Sequence, residues 1–140
     1  MPLLIVRHAR AGKRWEWEGD DRERPLDKKG RRQAEGLVEQ FATYSLERIA
    51  SSPLLRCTQT VAPLSRELGV PIENRSELEE GASREETLAL LRELGDAAVL
   101  CTHGDVLENI FGDAGRKAST RVVDLRDGEP VLREYLPPPD

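Results

Sequence analysis

The chain contains two histidines, and each follows an unbroken apolar run. Leu3-Leu4-Ile5-Val6 stops at Arg7-His8, and Ala97 to Cys101 stops at Thr102-His103-Gly104. Such runs, lacking alternation, suit strands buried on both faces of a parallel sheet. The residues after them sit at the carboxyl edge, where open α/β sheets place their ligands. Taken alone, Arg7-His8 reads equally well as a surface strand end or as an anion site carrying an imidazole. The repeat of this placement at His103 favours the site. Arg56 lies in the first turn of a helix opened by Ser52-Pro53 and points to the same rim, where helix-start N–H groups favour anions. Arg7, Arg56 and His103 then form a cationic cradle for a phosphoryl group, because guanidinium groups bind phosphate oxygens bidentately. In that cradle a neutral His8 imidazole attacks phosphorus in line, and water cleaves the resulting phosphohistidine.

The elements that position these residues follow in order. Ala11 to Leu26 has no period and reads as a long loop beside the site, where Trp15 and Trp17 either shield a pocket or pack on the surface. Asp27 caps a helix over 28–44, with Ala34, Leu37, Val38, Phe41 and Ala42 on its buried face. A short strand over 47–51 leads to the Ser52-Pro53 helix, which ends at Gly69 and is bent or broken at Pro63. An edge strand over 70–75 follows. Ser83-Arg84-Glu85-Glu86 has the form of a capping box and opens a helix that stops at Gly95. After the second apolar strand come a short helix over 105–111 and two strands, 120–126 and 130–136, around the hairpin signal Asp127-Gly128. Strands alternating with helices predict an α/β three-layer sandwich with a mostly parallel central sheet and an antiparallel strand or hairpin at the C-terminal side.

At 140 residues the chain is read as a single domain, 1–140. Its net charge of −5 argues against nucleic-acid and membrane-surface partners, so an anion site here is a local arginine cluster. Cys57 and Cys101 have neither metal-type spacing nor a disulfide framework, and they read as small core residues. With no transmembrane run and no basic-then-apolar leader, the expected location is the cytoplasm. Rival chemistries lack their residues. No arginine stands at cysteine-phosphatase spacing, since Cys101 is followed there by Leu107 and Cys57 by Pro63. No P-loop and no Gly-x-Ser-x-Gly elbow occurs, and two distant histidines make a poor metal site.

Four segments together resemble the histidine phosphatase superfamily: Arg7-His8-Ala9, Arg24-Pro25-Leu26 with Gly30, Ser51-Ser52-Pro53-Leu54-Leu55-Arg56 with Thr60, and Thr102-His103-Gly104. The likeness is greatest to SixA-type phosphohistidine phosphatases and to the phosphatase domain that some bacteria fuse behind a Nudix hydrolase. It implies a phosphoglycerate mutase-like fold, His8 as nucleophile, Arg7, Arg56 and His103 as phosphate ligands, and no metal or cofactor. Ala9 replaces the commoner glycine of the family signature. The family's acid falls near Leu78-Glu79-Glu80-Gly81. Glu80 is chosen over Glu79 because Gly81 lets the backbone approach the pocket, while the alternative is that both glutamates solvate a loop. The leading expectation is a SixA-like phosphatase acting on phosphohistidine in a protein partner. The alternative within the class is a phosphatase of small phosphorylated metabolites or nucleotides, with the Trp15–Trp17 loop as a wall. Mutase activity is disfavoured by the short chain, and a non-catalytic phosphate-binding regulatory module by the intact His8, Arg7, Arg56 and His103. The oligomeric state is left open.

Overall fold

The structure, a computed structural model, describes residues 2–139. Within it one six-stranded sheet has helices on both faces, as the alternation of strands and helices predicts. Strand β1 (Leu3–Arg7) lies centrally, and β2 (Arg48–Ser51), β3 (Ile72–Asn74) and β4 (Ala98–Thr102) stand parallel to it in the order β3-β2-β4-β1. Strands β5 (Thr120–Arg126) and β6 (Glu129–Leu136) close the other side, each antiparallel to its neighbour. Asp127 and Gly128 link them with φ of 53° and 76°, the left-handed pair that a two-residue hairpin turn requires.

The unbroken apolar runs are explained by burial on both faces. From β1, Leu3 and Ile5 enter a cluster with Leu88, Leu91 and Leu100, while Leu4 and Val6 enter another with Leu37, Val61 and Val99. The first cluster is roofed by α3 (Arg84–Leu94) and α4 (Gly104–Phe111), the second by α1 (Lys28–Gln40) and α2 (Leu55–Leu68). The capping box at Ser83 and Glu86 forms in full, and the Asp27 side chain caps α1 through the Gly30 amide.

Three local expectations need correction. α1 ends at Gln40 rather than at residue 44, because Phe41 turns its buried ring into the core at the C-cap and leaves Ala42 exposed. α2 starts at Leu55, and Ser52 does not cap it; the Ser52 hydroxyl is engaged by His103 instead. α2 also runs unbroken through Pro63, where packing against α1 offsets the lost hydrogen bond.

One glycine sets how closely α1 approaches the strand end. A Cβ on Gly30 would lie 1.9 Å from the Arg10 carbonyl oxygen, which belongs to rigid backbone. Gly30→Ala should therefore cost about 3 kcal/mol in a denaturant titration, the scale of forced overpacking. A loss below about 0.5 kcal/mol, within the ordinary range for surface changes, would show that this approach is not a constraint.

Candidate active site

β1 and β4 pair in parallel with Arg7 opposite Thr102, so both strands end at the same level. The next residues, His8 and His103, face each other with ring centroids 5.3 Å apart and planes inclined at 62°. The His8 amide still donates to the Thr102 carbonyl at 3.0 Å, and the Ala118 amide donates to the Arg7 and His8 carbonyls. The predicted nucleophile is thus fixed by backbone on both sides. Its orientation follows from a 2.8 Å contact between Nδ1 and the Ala9 carbonyl oxygen. A carbonyl only accepts, so Nδ1 carries the proton and Nε2 keeps its lone pair. Burial holds the His8 pKa well below that of an ordinary imidazole, and the charges of His103, Arg56 and Arg7 act in the same direction. The hydrogen bond to Ala9 opposes them.

His103 is held through its other ring nitrogen. The Leu54 amide donates to the Ser52 hydroxyl oxygen, and that hydroxyl lies 2.8 Å from His103 Nε2. The Cys57 sulfur lies 3.5 Å from the same nitrogen. His103 Nδ1 lies 3.5 Å from Glu80. Cys57 and Cys101 are both buried free thiols, as expected, though Cys57 also touches the site.

Arg56 is fully buried in the first turn of α2. Its Nη1 donates to the Asp21 carbonyl at 2.8 Å, and its Nη2 donates to the Asp21 carboxylate at 3.1 Å and to Glu80. Thr60, one turn along α2, accepts from the Ala9 amide and donates to the Arg56 carbonyl, joining helix to strand end. The Arg7 guanidinium donates to the Gly115 carbonyl at 2.6 Å and lies across the start of α4. Only a glycine permits this, since a Cβ on Gly104 would come within 2.9 Å of Arg7 Nη2.

Glu79 and Glu80 part company. Glu79 pairs with Arg22 at 2.7 Å, whereas Glu80 reaches Arg56, Arg14 and the edge of His103. The loop bearing them is tied to β4 and α4: Thr102 donates to the Leu78 carbonyl, and the Gly81 amide donates to Asp105. Gly81 has φ +85°, so the turn that aims Glu80 needs glycine.

Sequence reasoning missed Asp21 and Arg14. Both lie on the long loop, which folds into two short 3₁₀ turns. Asp21 meets Arg14, Arg24 and Arg56; burial alone would raise its pKa, but these cations hold it below the usual carboxylate value. Their only sequence signal was charge in an aperiodic stretch, which does not say where a loop will fold. Trp15 stands in solvent, and Trp17 lines a side cavity of about 220 Å³ with Ala11, Arg24 and Leu26.

Arg7 Nε, Arg56 Nε and His103 Nδ1 are buried and form no hydrogen bond among the described residues. Buried polar atoms are rarely left so, and the two guanidinium donors suit an acceptor-rich group such as phosphoryl.

Comparison with known proteins agrees with this geometry. Residues 3–89 match the pattern of the histidine phosphatase superfamily (branch 1). The chain belongs to that superfamily. It is 38% identical, over 99% of its length, to the 8-oxo-(d)GTP phosphatase of Mycolicibacterium smegmatis, of which it spans 48%. The chain thus corresponds to about half of that relative. Its fold superposes on the protein histidine phosphatase SixA complexed with tungstate at a TM-score of 0.82 and 22% identity, covering 98% of this chain and 97% of that one. The mycobacterial glucosyl-3-phosphoglycerate phosphatase Rv2419c matches at 0.75 and 15% identity, covering 97% and 98%. The phosphoglycerate mutase-like architecture expected from the sequence is present. Among the described residues no helix is long and apolar enough to cross a membrane.

Two outcomes follow from this geometry. Gly104→Ala should leave stability within about 1 kcal/mol, because the flexible Arg7 tip can move aside. The same change should lower kcat/KM for an aryl phosphate at least about 10-fold, the effect of losing roughly 1.4 kcal/mol of transition-state stabilisation. Unchanged kcat/KM would remove Arg7 from phosphoryl binding. On the expectation that neutral His8 is the nucleophile, its lowered pKa means that phosphoenzyme formation should stay near its plateau as pH falls through 6.5 and decline only below it. A half-maximum at or above 6.5 in a single-turnover pH profile would contradict that.

Proposed function

We propose that the domain hydrolyses phosphate from small O-linked phosphate esters or anhydrides, nucleotides among them, through a phosphohistidine on His8. The observation that carries this reading is that buried polar atoms of Arg7, Arg56 and His103 without a hydrogen bond among the described residues belong to side chains that act on His8, whose Nε2 is left free by the Ala9 contact. In the first step His8 Nε2 forms a bond to phosphorus while the bond from phosphorus to the leaving oxygen breaks. Arg7, Arg56 and His103 hold the other phosphoryl oxygens, and positioning with charge stabilisation supplies most of the catalysis. The phosphoryl group displaces Glu80 from Arg56, and Glu80, having taken a proton from the incoming ester's monoanion, gives it to the leaving oxygen. In the second step water attacks phosphorus, Glu80 takes up its proton, and His8 leaves with the lone pair restored.

The place of Glu80 bears on the substrate class. An alkoxide is a poor leaving group and needs an acid, while imidazole needs one less. A carboxylate that reaches Arg56 and the edge of His103 therefore favours O-linked phosphate over phosphohistidine. The relative named as an 8-oxo-(d)GTP phosphatase is consistent with this class.

A second reading, phosphohistidine in a protein partner, has its own support. This chain and a protein named as a protein histidine phosphatase, SixA, cover each other almost completely in superposition. The two buried free cysteines fit a reducing, cytoplasmic setting in either case.

A rate panel of nucleotides, sugar phosphates and a phosphohistidine protein, run on the native chain and on Glu80→Gln, separates the readings. The proposal expects the faster rates on O-linked phosphates, and a loss of at least about 100-fold for them in Glu80→Gln, the usual worth of a general acid. Phosphohistidine as the preferred substrate, with turnover indifferent to Glu80→Gln, would favour the second reading and overturn the first.

A further inference from the structure

The charges beside the site are not all balanced. Arg24 pairs with Asp21, Arg14 with both Asp21 and Glu80, and Arg121 with Asp113. A cavity of about 310 Å³ is lined instead by Arg10, Lys29, Arg116 and Lys117, with Gln33 as its remaining residue. Of these cations only Arg10 has a carboxylate in ion-pair range among the described residues, namely Asp27 at 3.0 Å. That carboxylate also accepts from the Gly12 and Gly30 amides. Lys117 is partly buried, and its pKa is lowered first by burial and then by the charges of Arg7, Arg24 and Arg10, with Asp27 opposing them. A protein of net charge −5 thus gathers four cations in one concavity and neutralises one of them. Arg10, Lys29 and Arg116 are exposed and Lys117 is half-buried, so the cations line an open concavity whose field favours an anion.

The cavity adjoins the phosphoryl site through the backbone. Arg10 is two residues beyond His8, and the Ala118 amide, next to Lys117, donates to the Arg7 and His8 carbonyls. Lys117 is near enough for its charge to act on Arg7 directly. An anionic group in the cavity is therefore placed to belong to the same molecule as the phosphoryl group on Arg7.

We propose that Arg10, Lys29, Arg116 and Lys117 form a second anion subsite, which binds a further phosphate of a substrate whose terminal phosphoryl group is transferred to His8. The subsite deepens the phospho-His8 reading and rests on it for the identity of the transferred group. It selects condensed or multiply phosphorylated substrates over simple monoesters. The aryl monophosphate reaction does not use it.

Calorimetric titration with orthophosphate, imidodiphosphate and diimidotriphosphate, whose P–N–P bridges resist hydrolysis, tests this without turnover, so failure of the subsite and failure to form a phosphoenzyme are separate results. The series is run on the native chain, on Lys117→Gln, on Arg116→Gln, and on Lys28→Gln as an α1 lysine outside the cavity. Affinity should rise at least 10-fold from orthophosphate to the longer anions in the native chain and in Lys28→Gln. Lys117→Gln should reduce that rise to under 3-fold, with Arg116→Gln in the same direction, while orthophosphate affinity stays within twofold. No rise along the series in the native chain would overturn the proposal. So would a rise kept in both cavity variants, or an equal loss of orthophosphate affinity, which would assign Lys117 to the primary phosphoryl site.

Discussion

The site depends on one feature of the sheet: β1 and β4 are adjacent, parallel and in register at their last residues. Because Arg7 lies opposite Thr102, the chain leaves the sheet at the same height twice, and the residues that follow are brought face to face. A shift of one residue in either strand would send its histidine to the other face of the sheet, since side chains alternate. The apolar run before each histidine prevents this, because alternate residues of β1 are committed to different cores. The packing that stabilises the fold therefore also sets the register of the site.

A second constraint is electrostatic. Burying a guanidinium costs several kcal/mol unless good partners surround it, and Arg56 is fully buried. Asp21 and Glu80 supply those partners, one from the long loop and one from the segment before α3. Arg14 bridges both carboxylates from the solvent side, so the loop is fastened over the rim by charge rather than by an apolar core. A phosphoryl group bound to Arg56 would compete with these two carboxylates. Binding there would then be an exchange of anions on a buried cation that frees Glu80 beside it.

Much of this was legible in the residues, and the failures have physical causes. The two apolar strands, the Asp27 cap, the Ser83–Glu86 box and the Asp127-Gly128 turn are local signals, and local signals survive into the fold. Ser52 misled because a hydroxyl before a proline looks like a helix cap, whereas here it serves a histidine 51 positions away. Asp21 and Arg14 escaped notice because a loop's path is set by long-range pairings that no period records. Of the two glutamates in the Leu78–Gly81 segment, the one before the glycine, Glu80, is the one that meets Arg56. The unbalanced cations around Lys117 come from three separate segments, and only the fold gathers them.

The most direct test of the account concerns a single nitrogen. The Ala9 carbonyl holds the proton of His8 on Nδ1 and leaves Nε2 free, so phosphorylation is assigned to Nε2. The enzyme, quenched in base during turnover of an aryl phosphate and examined by phosphorus NMR with peptide mapping, should carry acid-labile phosphate on His8 at Nε2, and His8→Ala should carry none. Phosphate on His8 Nδ1, on His103 or on Cys57, or its persistence in His8→Ala, would contradict the account.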